Sequence, residues 1–443
     1  MRIQQSVLKA LLLLVVSALV IVPSGCRPES VVADLPSGQG VSQPTSSTPE
    51  VNSPLPTPTP QPTSPVPTMT PWTPPTPQAQ TPTPLPLPPV ATSPAGRVFF
   101  TAFFAPGTTP SEPKLFYAPF DEQGQLSGAV SRWTPSIDVR VDIGRLSASP
   151  NGDYLASVYD TEGGDVAQII DLTAGEPTTF VSAGEFFGWH PNGYQFLFDQ
   201  EIESDPGLWL VDARTGQHQL LAQPAAINVS GAAISPDGQA LAYGVSDAGI
   251  QQIWMANADG SEPRLMLESN STSIVYSWSP GGRYLLYTGE PTQVVGKGTP
   301  VPPAPPLWLM DRAGQNRHPL NLPWETLGFI LKPVWSPAGR YVAGIGRTSE
   351  TITCWQKGAS QPDPLCLFEN AGIYVEDAET GEVQLVARNA ADPTWSPDGS
   401  LLALARMDEK GQVDIWVIGI DGSNLQRVTD TAEVDRYPVW IPR

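Results

Sequence analysis

One four-residue turn occurs six times between residues 149 and 399 of this chain, and it constrains the fold more than any other feature. The copies are Ser149-Pro150-Asn151-Gly152, His190-Pro191-Asn192-Gly193, Ser235-Pro236-Asp237-Gly238, Ser279-Pro280-Gly281-Gly282, Ser336-Pro337-Ala338-Gly339 and Ser396-Pro397-Asp398-Gly399. A truncated seventh ends the chain at Trp440-Ile441-Pro442. Successive prolines lie 41, 45, 44, 57, 60 and 45 residues apart. Pro sets φ, Asp or Asn bonds its own backbone, and Gly takes the left-handed conformation, so each copy is a tight turn between strands. A period of about 45 residues is that of a repeat architecture whose unit is one small sheet.

The residues around each turn supply the strands. A short apolar run follows, as in Tyr154-Leu155-Ala156-Ser157-Val158 and Leu401-Leu402-Ala403-Leu404-Ala405. A second run has an aromatic centre, as in Ile253-Trp254-Met255 and Ile415-Trp416-Val417. Then comes a hairpin signal, Asp259-Gly260 or Asp421-Gly422, and an outer strand such as Gln384-Leu385-Val386. A further column, Trp189, Trp278, Trp335, Trp395 and Trp440, precedes the turns. Side chains that repeat once per sheet at one strand position are expected between neighbouring sheets, not stacked on a ligand.

Four strands in about 45 residues make a propeller blade. Six turns begin six blades from about residue 143, and residues 97–139 supply strands without an initial one. The orphan strand at 437–441 completes that set. The expectation is an all-β, seven-bladed β-propeller whose C-terminal strand closes the first blade and removes both free edges. The Trp-Ser-Pro-Asp-Gly pattern resembles the WD-like repeats of TolB-type propellers, also found in the propeller domains of prolyl-oligopeptidase relatives. That resemblance covers residues 97–443 and implies the fold. The α/β domain that precedes the TolB propeller is replaced here by other sequence, so a place in the same envelope system is not implied.

The N-terminus reads as an export signal. Arg2 and Lys9 are followed by an apolar run at 11–22, broken only by Ser17. Its length, roughly 18 Å as a helix, is too short for the ~30 Å hydrocarbon core and suits a signal peptide over 1–25. Pro23-Ser24-Gly25-Cys26 resembles a bacterial lipobox, with Pro23 where Leu is usual. The resemblance implies lipidation of Cys26 and a membrane anchor, and hence an exported lipoprotein on the extracytoplasmic side, in the periplasm or at the cell surface. Residues 26–96 are expected to form a disordered Pro/Thr-rich stalk. Between Leu35 and Gly96 the only charge is Glu50, and such sequence buries no core. At ~3.1 Å per residue of polyproline II its contour reaches about 200 Å.

The net charge of −20 falls almost entirely after residue 96. An acidic surface repels phosphate backbones, which excludes nucleic acid as a partner class. No G-x-S-x-G elbow is present and no peptidase domain follows, so no catalytic signature is found. His190, His218 and His318 occupy unrelated repeat positions and form no metal-ligand set; no metal or cofactor is expected. The acidic runs at 160–165 and 377–382 lack EF-hand spacing and read as turns rather than calcium sites.

Departures from the repeat remain. Segments 291–306, 321–332 and 347–371 fall on adjacent blades, in slots that open on one face, and 102–113 joins them from the closing blade. Loops on a rigid scaffold carry binding, and Trp324, Phe329 and Trp355 are aromatic anchors of the type that dominate interfaces. Cys354 and Cys366 are expected to close as a disulfide in an oxidising compartment, contributing about 3 kcal/mol, the alternative being two separate thiols. The function that follows is a tethered, monomeric binding or scaffolding module for an envelope or cell-surface protein, peptide or glycan. The alternatives are a propeller hydrolase or lyase using channel residues, and a ligand sensor for a membrane partner.

Overall fold

The computed structural model describes residues 91–442 apart from 104–113, 134–144, 162–163, 174–176, 181–183, 203–204, 224–227, 248–249, 270–272, 289–306, 324–332 and 348–370. It contains seven four-stranded antiparallel sheets. In six of them the strands run in chain order, here A to D. Their A strands are Arg145–Ala148, Gly184–Trp189, Asn228–Ile234, Val275–Trp278, Val334–Trp335 and Ala390–Trp395, opening blades 1 to 6. The closing blade takes strand A, Val434–Pro442, from the C-terminus and B to D, Gly96–Phe103, Lys114–Phe120 and Ser131–Arg132, from the start of the domain. Gly96 pairs with Pro442 and Phe103 with Val434. The C-terminal strand begins three residues before the expected 437, because a bulge opposite Phe99 and Thr101 lets it continue past Tyr437. At five of the seven junctions between blades strand A packs beside strand A of the next blade, so A is the axial strand.

The turns form as their residues require. Ser235 Oγ donates to Asp237 Oδ1 at 2.6 Å and accepts from Ala240 N at 2.9 Å. Gly238 sits at φ 68°, where an L side chain is strained, and its N–H closes the turn on the Ser235 carbonyl. In blade 2, His190 Nδ1 takes the acceptor role for Asn192 N at 3.1 Å. Burial pushes that imidazole down to about 4, so it is neutral and acts as a turn residue.

Seven apolar clusters fill the seven gaps between blades, and this closes the ring. Leu402 and Leu404 face blade 5 in one cluster, while Ala403 between them faces the closing blade in the next. Phe99 and Ile441 of the closing blade pack on Leu155 and Ile170 of blade 1. Period-two alternation thus buries both faces of a strand, which is why these runs read as continuously apolar.

The tryptophan column does what its periodicity predicts. Trp189, Trp278 and Trp395 each donate Nε1–H to a carbonyl two residues before the turn of the preceding blade. Those acceptors are Ser147, Ala233 and Val334, at 3.1, 3.2 and 3.0 Å. The hairpin at 377–382 is likewise a turn. Asp377 accepts from Glu379 N and Thr380 N and pairs with Arg340 at 2.8 Å.

Candidate functional site

Antiparallel order within a blade divides the connections between two faces. A–B turns and C–D hairpins lie at one end, and B–C loops and D-to-A crossovers at the other. Gly96 and Pro442 belong to the turn face: a Cβ on Gly152, in the first turn, would touch Ile441 Cγ2 at 3.0 Å. Pro94 is buried, and it and Leu401 both lie beside Gly124. The chain therefore enters and ends on the turn face. The connections between Phe103 and Lys114, Thr288 and Leu307, Pro323 and Val334, and Arg347 and Ala371 begin and end on the opposite face. Trp324, Phe329, Trp355, Cys354 and Cys366 belong to those connections and lie outside the described residues, as does Cys26. One expectation changes. Leu320 and Leu322 are buried in the core between blades 4 and 5, so the crossover expected from 321 is seated on the core before it leaves. Its backbone is held there by Glu376, whose two oxygens accept from Asn321 N at 2.9 and 2.8 Å.

The described part of this face is built on irregular axial strands. Five A strands shift register against strand B, in blades 2, 3, 4, 6 and the closing blade. Such bulges re-aim side chains near functional rims. In blade 6 and the closing blade the bulge residues Asp392 and Tyr437 stand at φ 54°. Here Arg436 reaches across to Asp392 with two bonds, Nε–Oδ2 at 2.8 Å and Nη2–Oδ1 at 3.0 Å. Its guanidinium lies 4.5 Å from the Tyr437 ring centroid. Burial opposes the charge on Arg436, but the Asp392 carboxylate and Tyr437 outweigh it and move its titration above the ordinary range. The pair was not anticipated. Its signal is the shared pattern Asp392-Pro393-Thr394-Trp395 and Tyr437-Pro438-Val439-Trp440, in which Pro forces the preceding residue out of the helical region.

A second charged group lies in blade 6, where Arg427 contacts Asp414 at 2.5 Å and Asp430 at 2.9 Å. Among the described residues no three His, Cys, Asp or Glu side chains are grouped to hold a metal ion. His218 and His318 pack edge-on against Trp209 and Tyr284 at 5.3 and 5.7 Å.

No protein-family model matches the chain. An uncharacterized protein of Agrobacterium fabrum is 24% identical over 307 residues, 66% of this chain and 72% of its own length. The Tol-Pal system protein TolB of Anaeromyxobacter dehalogenans is 25% identical over 194 residues, covering 42% of this chain and 37% of its own. The match thus spans little more than a third of that TolB. Among solved structures, a puromycin hydrolase superposes with a TM-score of 0.50 at 15% identity, over 77% of this chain and 53% of that one. This likeness shows the fold. The chain is a TolB-like, seven-bladed β-propeller.

Proposed function

We propose that the protein is an extracytoplasmic, membrane-tethered binding module that presents the loop-bearing face of its propeller to a protein, peptide or glycan. One observation carries the reading: the chain enters and leaves on the turn face, while the departures from the repeat join strand ends on the other. A tether through residues 26–96 to a lipid on Cys26 would join the propeller at its turn face, where Gly96 lies. Trp324, Phe329 and Trp355 are the aromatic anchors, and a Cys354–Cys366 disulfide pre-organises their loop and lowers the ordering cost of binding.

The test is capture by the full-length, tethered protein from its own envelope. Cys26→Ala should move the protein to the soluble fraction with its propeller folded. Trp324→Ala, Trp355→Ala and Cys354→Ser should each weaken capture, the aromatic changes by roughly thirtyfold. Asp398→Asn, in a turn on the other face, should leave capture unchanged. Normal capture by all three loop variants, or turnover lost on substitutions around the axis, would replace this reading with the enzyme or channel-binding one.

A further inference from the structure

Two carboxyl groups are fully buried where the ring closes. Asp414 lies in strand C of blade 6 and Asp435 in the C-terminal strand, and both are 0% exposed. Asp414 takes an Arg427 Nη2 bond at 2.5 Å on Oδ2, and Thr431 N and Thr429 Oγ1 at 3.3 Å on Oδ1. Asp435 takes the Thr431 hydroxyl on Oδ2 at 3.2 Å. Its Oδ1 is buried without a hydrogen-bond partner. The Thr429 hydroxyl lies within reach of both carboxyls and already accepts from Ile415 N at 2.9 Å. It has one proton to give, so it cannot serve both carboxylates together.

The surrounding charges do not make up the deficit. Arg427 also meets Asp430 at 2.9 Å and Asp408 at 3.9 Å, so one guanidinium answers to three carboxylates. Glu433, in the crossover, adds a further negative charge toward Asp435. Arg436, the next residue on the same strand, is committed to Asp392. An ionised Asp435 is thus a buried charge without a counter-ion, a state that proteins relieve by neutralising the group.

We propose that Asp435 is a proton-operated latch on ring closure: protonated, it lets the C-terminal strand seat between blades, and ionised, it loosens that strand at the loop-bearing face. Burial raises its titration to about 7 against the pull of the two threonine hydroxyls, with Asp414 and Glu433 adding to the rise. The native carboxyl therefore holds a proton that the opened strand releases. The stabilisation is whole below the ordinary carboxylate range, is lost as pH climbs through about 7, and is absent above it.

Hydrogen exchange of the full-length protein, corrected for chemical exchange, reads the latch through amides of the strands at 434–442 and 96–103. Opening of these strands should rise by up to about a hundredfold between pH 5 and pH 8.5, and the rise should vanish in Asp435→Asn. No rise in the wild type, or the same rise in Asp435→Asn, overturns the proposal. Should that variant fail to fold, Asp414→Asn removes the neighbouring charge and must shrink the rise; an unchanged rise overturns it equally.

Discussion

Thr101 and Arg436 stand 335 positions apart in the chain, and the hydroxyl of Thr101 donates to the carbonyl of Arg436 at 3.2 Å. Thr101 is fully buried and lies beside the bulge in the pairing of the first and last strands of the domain. The same residue, Arg436, sends its side chain the other way to Asp392 of blade 6. One residue thus ties the C-terminal strand to its own blade and to the preceding one.

Removing residues 434–443 takes away that strand, with Trp440 and Ile441 from the cores on either side of the closing blade. Burial of two such side chains alone is worth about 3–6 kcal/mol, against a total of roughly 5–15 kcal/mol for a domain. The truncated protein should aggregate or lose its cooperative melt in calorimetry. Trimming residues 35–90, which stops short of buried Pro94, should leave the melt nearly unchanged.

Asp392→Ala strands Arg436 in a largely buried position and places Ala at a positive φ. Breaking a buried pair costs about 3–5 kcal/mol, and the lower end applies because Arg436 keeps a side-chain exposure of 21%. Asp392→Asn retains an acceptor and should cost less. Urea unfolding of the two variants beside the wild type gives the difference.

Trp395 and Trp335 hold the same repeat position in consecutive blades. Trp395 donates to the Val334 carbonyl, whereas Trp335 Nε1 is buried without a partner. Replacing each with Phe should therefore cost about 1 kcal/mol more at Trp395 than at Trp335, once the lost ring area is allowed for. Equal costs would deny the inter-blade bond any part in stability.

Burial pushes the Glu376 carboxyl up to about 7, opposed by the N–H bonds from Asn321 and Leu322. Folding thus favours its protonated form, and that contribution is lost as pH rises from the ordinary carboxylate range through about 7. Glu376→Gln cannot ionise. Its melting temperature relative to the wild type should climb between pH 5 and pH 8; a constant difference would show that Glu376 keeps an ordinary titration.

The sequence by itself determined the turns, the strands and the blade count. Turn chemistry at Ser235-Pro236-Asp237-Gly238, the apolar run at 401–405 and the tryptophan spacing are all local properties that a chain declares without folding. The strand shared between the chain's two ends was likewise deducible, because strands at 97–100 and 437–441 each lacked partners and only one pairing satisfied both. Tertiary structure alone decided that Leu322 belongs to a core, that Arg436 serves Asp392, and that Asp435 is left with an unpartnered oxygen. These depend on which distant strands the closed ring brings together and on how much water it expels around them. A carboxylate in the sequence looks the same whether it will face solvent, a guanidinium or another carboxylate, and only the packed ring sets that difference.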